Sequence, residues 1–413
     1  MSRRLPFLAL IGPGLLVAAT GVGAGDLATA SIAGSKLGVT VLWAVLLGAI
    51  LKYVLSEGLA RWQLATGQTP LQGVVRYLGR PAAWLFLGYL VIWSVAVGRA
   101  LASACGVTAF ALAPIFDNPD TGKVVFGTIH SLLGVILVVI GGYRLFERLM
   151  SISVVLMFSS VVITASLLRP EIGSILAGLV PTIPAVQGGL AWTVALLGGV
   201  GGTVTLLCYG YWIREESRES ADDLPLCRAD LAIGYLFTAV FGLAMVIVGS
   251  TVEIQGGGAG LLVSLGHRLE DSLGSTVRWL FLIGAWGAVM SSLLGVWQSI
   301  PYLFSDLWSM LAGDQKTDRS PVDTAGLPYR GFLLFLGVSS IAGLFSSFVQ
   351  IQKIYAILGA FFIPMLALAL LILNGREDLM GRKFANGWPT RIILGSTLAL
   401  FLWFGMLEFG TWK

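Results

Sequence analysis

Long apolar segments separated by short polar stretches run along the whole chain. A helix needs about 20 mostly apolar residues to cross a bilayer. By that measure the pattern predicts eleven membrane-spanning helices, numbered here spans one to eleven. They lie near residues 6–34, 40–65, 82–112, 122–141, 145–168, 188–213, 229–251, 275–305, 329–348, 352–373 and 391–410. The prediction is an all-α membrane protein with a single transmembrane domain over residues 1–413 and one short extra helix near Leu261–Leu273.

Composition supports this interpretation. Hydrophobic residues make up 56% of the chain and charged residues 12%, with a mean hydropathy of +0.86. Soluble domains carry about 25% charged residues. The net charge is only +4, and basic residues sit in short loops, so nucleic-acid binding is not expected. No nucleophile–base constellation or phosphate-binding loop points to an enzyme, and we expect no cofactor and no obligate protein partner besides the lipid bilayer.

Lysine and arginine residues are distributed unequally between the two sides of the membrane. With the N-terminus inside, the outer side holds only seven of them: Lys36, Lys123, Arg169, Arg268, Arg278, Lys353 and Lys413. Basic residues concentrate in cytoplasmic loops. The bias predicts a cytoplasmic N-terminus and an extracytoplasmic C-terminus, in the plasma (inner) membrane of a prokaryote, and no cleavable signal peptide is apparent.

Two spans contain glycine-rich interruptions. Span one carries the sequence GVGAGD at residues 21–26, and span six carries GGVGGT at residues 198–203. Paired interruptions in corresponding spans are typical of transporters built from inverted repeats, with the substrate site at the breaks. We therefore predict two inverted five-helix repeats, about residues 6–168 and 188–373, with broken helices one and six and an extra helix at 391–410. The alternative is that these glycines only allow close helix packing.

Asp26 is the residue with the clearest chemical signal. A carboxylate inside a span is costly, so it is expected to face the bundle interior and to be functional. The preceding glycines can unwind the helix and expose carbonyl oxygens, which together with a carboxylate suit a small hard cation. The alternative is that Asp26 caps a helix beginning at Leu27.

Other ionisable residues are embedded in the spans. Arg61 follows a carboxylate at i+4, which favours a structural ion pair over a proton relay. A lone intramembrane histidine is either a packing residue or a proton shuttle. Lys52 and Arg99 need partners, and Glu57 or Asp26 are the available ones. Three residues form the candidate proton or gating network: Glu57, Arg99 and His130.

Several motifs resemble those of the Nramp family of divalent-metal transporters. The sequence GPG at residues 12–14, followed by GAGD at 23–26, is similar to the first helix of that family, which has Gly-Pro-Gly and then Asp-Pro-Gly-Asn. Further similar segments occur in the same order at residues 64–67, 142–147, 180–184, 230, 379–381 and 386. The resemblance covers nearly the whole chain. It implies a LeuT-like fold, alternating access and secondary-active transport of divalent cations.

The chain departs from the family at the expected binding site. The metal-binding aspartate of the family falls on Gly23, its proline on Ala24 and its asparagine on Asp26. The Met-Pro-His motif of span six falls on residues 205–207, which are Thr-Leu-Leu here, and the third-helix acids have no counterpart near Trp93–Arg99. Losing the thioether favours hard ions. Mg²⁺ is the preferred candidate and Mn²⁺ the second, as in a magnesium-transporting branch related to Nramp, and the case for proton symport is weaker.

Divalent cation transport is therefore the favoured function, with the cation as substrate. The expected ligands are the Asp26 carboxylate, the carbonyls of Thr20, Gly23 and Gly202, and the Thr205 side chain. The alternative is a carrier of a small organic solute on the same scaffold, because Gly23 is expected to leave room beside the broken helices.

Overall fold

A computed structural model describes residues 12–254, 257–313 and 322–410. The predicted start of span one at residue 6 lies outside these ranges, as does Lys413. Within them, every regular secondary-structure element is helical. The predicted all-α architecture is confirmed.

Each predicted span corresponds to a helical segment. Span one comprises Pro13–Gly21, Val22–Thr29 and Ala30–Leu37; span two is Leu42–Thr66; span three is Arg80–Leu112; spans four and five lie within Pro119–Leu167; span six comprises Gly189–Gly199, Val204–Cys208 and Tyr209–Glu215; span seven is Leu224–Gly249; span eight is Ser275–Ala312; span nine is Leu327–Ala342; span ten is Phe348–Leu373; and span eleven is Trp388–Gly410. Shorter helices lie at Pro70–Gly73, Ile172–Gly178, Leu261–Leu273 and Glu377–Met380. The short helix predicted near Leu261–Leu273 therefore has the expected bounds.

Nine helical stretches of the described chain are long and apolar enough to cross a membrane. Spans one and two count as one continuous stretch, Gly25–Thr66, by this measure, and span nine is shorter than the rest. The protein is an integral membrane protein.

The end of span two shows how local sequence sets a helix boundary. Gly67 has a φ angle of 71°, and its N–H donates to the Gln63 carbonyl at 2.8 Å. Glycine adopts this left-handed conformation at little cost and so terminates the helix. The next helix starts at once with a capping box, in which Thr69 and Gln72 each bind the backbone of the other.

Spans four and five form a helical hairpin. The link predicted near residues 142–144 has helical backbone instead of a loop, so the helix runs over Pro119–Leu167. Yet Trp286 of span eight donates to His130 at 2.9 Å, while a Cβ on the adjacent Gly287 would lie 3.7 Å from the Ser153 carbonyl oxygen. In a straight helix residues 130 and 153 would be roughly 35 Å apart. The segment must therefore fold back on itself.

Large apolar side chains cover the outside of several spans. The most exposed of these include Ile140, Leu85, Phe345, Ile392 and Leu402. Such a surface suits contact with lipid tails, whereas the residues around the two interruptions are almost all buried. The interrupted spans therefore lie in the interior of the bundle, where they can form a site shielded from lipid.

Candidate functional site at the interrupted spans

The first interruption lies in span one, where the α-helix changes to a π-helix over Val22–Thr29. The Ser292 hydroxyl of span eight reaches into this helix. It accepts a hydrogen bond from the Gly23 N–H at 2.6 Å and donates one to the Ala19 carbonyl at 2.9 Å. These two backbone groups would pair with each other in a regular α-helix. The inserted hydroxyl separates these two groups, which explains why the α-helix widens to a π-helix here. The interruption of span one is therefore this π-helix and not an extended segment.

The second interruption is a complete break in span six. The α-helix ends at Gly199, and a 3₁₀-helix begins at Val204. Between them, Gly201 and Gly202 have φ angles of 76° and 82°. Only glycine adopts such angles readily, so these two residues fix the position of the break.

Backbone contacts join the two interruptions. A Cβ atom on Gly21 would collide with the backbone of Gly201 and Gly202, and a Cβ on Gly25 would collide with the Gly199 carbonyl. Small residues allow helices to approach this closely inside a membrane. The glycines therefore do both things that the sequence left open: they interrupt the spans and they let them pack.

Asp26 is fully buried at this contact and connects the two spans. Its two carboxylate oxygens lie 3.1 and 3.3 Å from the Gly201 backbone nitrogen, which donates to them. A Cβ on Gly242 of span seven would lie 3.6 Å from Asp26 Oδ1. The carboxylate is thus held between spans six and seven, and it caps the break in span six rather than the helix that follows it in its own span.

Lys52 of span two satisfies the other side of the break. Its side chain is completely buried, and its ammonium group donates to the carbonyls of Leu197 at 3.1 Å and Gly198 at 2.8 Å, and to that of Val200. Lys52 and Asp26 also attract each other electrostatically. The sequence indicated that Lys52 needs a partner, but not that its partners are the exposed carbonyls of span six.

Two threonine hydroxyls near the break lack hydrogen-bond partners within the described chain. They belong to Thr205 and Thr238, both of which are buried. A Cβ on Gly202 would lie 2.7 Å from Thr205 Oγ1, and one on Gly201 would lie 3.2 Å from Thr238 Cγ2. Unpaired buried hydroxyls are costly. Their position around the break supplies hard oxygen donors that the fold itself does not use.

The structure brings the predicted ligand residues into one region. Gly21 abuts Gly202, which places the neighbours of Gly21 beside the break in span six. The predicted ligand residues lie on the two spans that meet here: Thr20, Gly23 and Asp26 on span one, and Gly202 and Thr205 on span six. Within the described residues, no group of three or more His, Cys, Asp or Glu side chains is arranged to hold a metal. Any cation bound here would depend on one carboxylate and on neutral oxygens.

The predicted proton or gating residues do not share one network. Glu57 pairs with Arg61 at 3.2 Å, as the i+4 spacing indicated, and also with Arg228 of span seven at 2.7 Å. His130 has both ring nitrogens occupied, by the Phe126 carbonyl at 2.7 Å and the Trp286 indole at 2.9 Å. This is the geometry of a packing histidine.

Arg99, the third of these residues, packs elsewhere. Its side chain lies against Gly343, just beyond the end of span nine. Its Nε atom is buried, and no hydrogen-bond partner is found for it in the part of the chain that the structure describes.

A second buried carboxylate fastens the start of span one. Asp230 of span seven accepts hydrogen bonds from the Gly14 N–H at 2.8 Å and from Arg218 at 2.9 Å, and one from the Tyr209 hydroxyl at 3.4 Å. Gly14 lies in the first turn of its helix, where N–H groups have no intrahelical partner. Asp230 therefore fastens the start of span one to span seven, a role that the sequence did not indicate.

Residues 14–408 match the family model described as Nramp, natural resistance-associated macrophage protein-like. The chain belongs to the Nramp family. Members of this family are transporters and not enzymes. The divalent metal cation transporters MntH of Staphylococcus aureus strains JH9 and Newman are each 24% identical over 311 residues, which is 71% of this chain and 65% of theirs. The match thus spans less than two thirds of these relatives.

Solved structures share the architecture. Two mutants of the Eremococcus coleocola manganese transporter give TM-scores of 0.74 at 16% identity, over 97% of this chain and 86% of theirs. MhsT in complex with L-phenylalanine gives a TM-score of 0.60 at 17% identity, over 96% of this chain and 97% of that one. These similarities confirm the LeuT-like fold.

Span eight leaves no space beside Gly23. The resemblance predicts that the family's metal-binding aspartate corresponds to Gly23, and we expected free room there. A Cβ there would lie 2.7 Å from Ser292 Cβ and 2.9 Å from Val289 Cα. That expectation is wrong, because span eight packs directly on Gly23. In span six, Leu206 and Leu207, where the resemblance predicts the family's proline and histidine, are buried and apolar.

Proposed function

We propose that this chain is a secondary-active transporter of divalent metal cations that works by alternating access. Membership of the Nramp family supports transport, and the names of the curated relatives suggest the substrate class. The observation that carries the proposal is Asp26, a fully buried carboxylate at the contact between the two interrupted spans. Carboxylates inside a membrane protein mark ion pathways because they are otherwise too costly to keep there.

The proposed ligands are hard oxygen donors. Asp26 supplies the charged oxygen, and the carbonyls of Thr20, Gly23 and Gly202 add neutral ones. Thr205 Oγ1 lacks a hydrogen-bond partner in the described chain and is the proposed side-chain ligand from span six. Donors of this kind favour Mg²⁺, with Mn²⁺ as the second candidate.

The described conformation is closed around this site. Gly21 and Gly25 press on the backbone of span six, and the Asp26 carboxylate is engaged by the Gly201 N–H. A cation can enter only when spans one and six move apart. That movement is the conformational step that alternating access requires, and the Asp230 contacts fasten the start of span one to span seven.

The experiment is uptake of Mg²⁺, Mn²⁺ and Ca²⁺ into proteoliposomes by the wild type and by Asp26→Asn. The amide keeps an oxygen for Gly201 and nearly the same size, so it removes mainly the charge. Asp271→Asn is the matched control, since Asp271 is exposed on the helix Leu261–Leu273.

We expect wild-type and Asp271→Asn liposomes to take up at least one of these ions, and Asp26→Asn liposomes to match protein-free liposomes. Normal uptake by a correctly folded Asp26→Asn protein would refute the role of Asp26. Absence of uptake by the wild type would refute the proposed function.

A more specific form of the proposal is proton symport, in which cation uptake is coupled to proton movement in the same direction. Measuring the same uptake with and without an inward proton gradient tests it, and equal rates would exclude protons as the coupling ion. His130 is a poor relay here because both of its ring nitrogens are occupied. Glu57, which forms ion pairs with Arg61 and Arg228, is the remaining candidate of the predicted network for carrying a proton.

The organic-solute hypothesis is less favoured. It depends on room beside Gly23, and Ser292 and Val289 fill that room. Thermal stabilisation of the purified protein by an amine or an amino acid, together with indifference to divalent ions, would reinstate it.

We further propose the orientation that the loop charges indicate, with a cytoplasmic N-terminus in a prokaryotic plasma membrane. A C-terminal alkaline phosphatase fusion should then be active and a C-terminal green fluorescent protein fusion dark. The reverse result would refute the orientation.

A further inference from the structure

The broken end of span six has the chemical character of a cation site. The last four carbonyls of an α-helix have no intrahelical partner, and the helix dipole makes that end negative. In transporters, the C-terminal ends of half-helices and the unwound carbonyls beside them coordinate cations. Here the half-helix Gly189–Gly199 ends inside the bundle, next to the buried carboxylate of Asp26.

A side chain already occupies this end. The Lys52 ammonium group donates to the carbonyls of Leu197, Gly198 and Val200. An ammonium group has three protons, and three carbonyls receive them. The Lys52 side chain is among the largest that are completely buried, and Asp26 attracts its charge. The hydrogen-bonding capacity of the ammonium group is therefore filled by backbone oxygen atoms alone.

We propose that Lys52 is a resident cation that fills the place of a free one and thereby determines the cation specificity of this site. By holding the three carbonyls and placing a positive charge at the break, it lowers the affinity of this helix end for any second cation. The inference rests on the proposed function in one respect: the cation whose affinity Lys52 lowers is the transported substrate. A purely structural lysine would cap the half-helix without affecting cation affinity.

Removing the ammonium group while leaving the oxygens in place separates these roles. We compare the wild type, Lys52→Ala and Lys52→Met by isothermal titration and by thermal unfolding, each with MgCl₂, MnCl₂ and ethylammonium chloride. Lys123→Met is the matched control. Lys123 is also a buried lysine that donates to a carbonyl, that of Ser346 at 2.8 Å, but it lies away from the interruptions.

We expect Lys52→Ala to bind at least one of these cations about tenfold more tightly than the wild type, because a like charge has been removed from beside the site. Its midpoint of unfolding should rise with the concentration of that cation. Lys52→Met, whose chain still fills much of the space, should show a smaller gain, and Lys123→Met should show none.

Folded Lys52→Ala and Lys52→Met proteins with wild-type affinity for all three cations would overturn the proposal. If Lys52→Ala folds only when purified with one of the cations, the proposal stands, and failure to fold with every one of them refutes it. The outcome is independent of transport: a wild type that moves no metal refutes the proposed function, whereas a gain of cation binding in Lys52→Ala would still support the role of Lys52.

Discussion

The contact between the two interrupted spans can be tested with a single methyl group on Gly21. A Cβ there would lie 2.8 Å from the Gly202 Cα atom, closer than the 3.0 Å below which real Cβ atoms are essentially never found. The obstacle is backbone, which cannot rotate away, so spans one and six must separate. Overpacking of this kind costs about 1–3 kcal/mol. Gly21 has a helical φ angle of −78°, so alanine causes no backbone strain.

Gly88→Ala provides the matched control. Gly88 lies within the helix of span three, is exposed, and a Cβ there would meet no atom within 4 Å. Both variants gain the same intrinsic helix propensity from alanine. The difference between their free energies of unfolding therefore isolates the overpacking, and we expect Gly21→Ala to be less stable than Gly88→Ala by about 1–3 kcal/mol.

The assay is thermal or denaturant unfolding of the purified proteins in one detergent, followed by cation uptake into proteoliposomes. Gly21→Ala should unfold at a lower midpoint and transport more slowly, because the two spans can no longer close fully. Gly88→Ala should be at least as stable as the wild type and transport normally. Equal stability of the two variants would refute the argument that spans one and six are in direct backbone contact.

Three further substitutions test other contacts. Ser292→Ala should slow cation uptake with little loss of stability, since the two backbone groups that the serine bridges can then pair directly. The control is Ser291→Ala, because the Ser291 hydroxyl bonds within its own helix. Equal uptake by the two variants would contradict this prediction. Asp230→Asn weakens the pair with Arg218 and should lower the free energy of unfolding by about 1.5–3 kcal/mol, measured in detergent. Asp378→Asn should leave the unfolding midpoint unchanged, because its ion pair is exposed to solvent.

The glycines of this protein show why composition is an incomplete guide. The 53 glycines predict close helix packing in general terms. Gly201 and Gly202 are required for their positive φ angles, whereas Gly21 and Gly25 are required for space, and Gly88 meets neither requirement. Only the positions of neighbouring spans distinguish these cases.

The sequence by itself determined the helices and the places where two of them are interrupted. Apolar runs of membrane length, the short helix Leu261–Leu273 and the pair Glu57–Arg61 all depend on residues close together in the chain. Propensity, hydropathy and i+4 spacing act over such distances, so they can be recognised without a structure. The family resemblance added the order of the spans.

Tertiary structure alone decided what surrounds Asp26. Lys52 lies one span away in sequence, the carbonyls that it binds follow more than a hundred residues later, and Ser292 of span eight lies further still. No local pattern encodes which of these groups meet, because their contacts follow from the packing of whole helices. That packing closed the space expected at Gly23 and placed a lysine ammonium group on the carbonyls of Leu197, Gly198 and Val200, beside the predicted cation ligands.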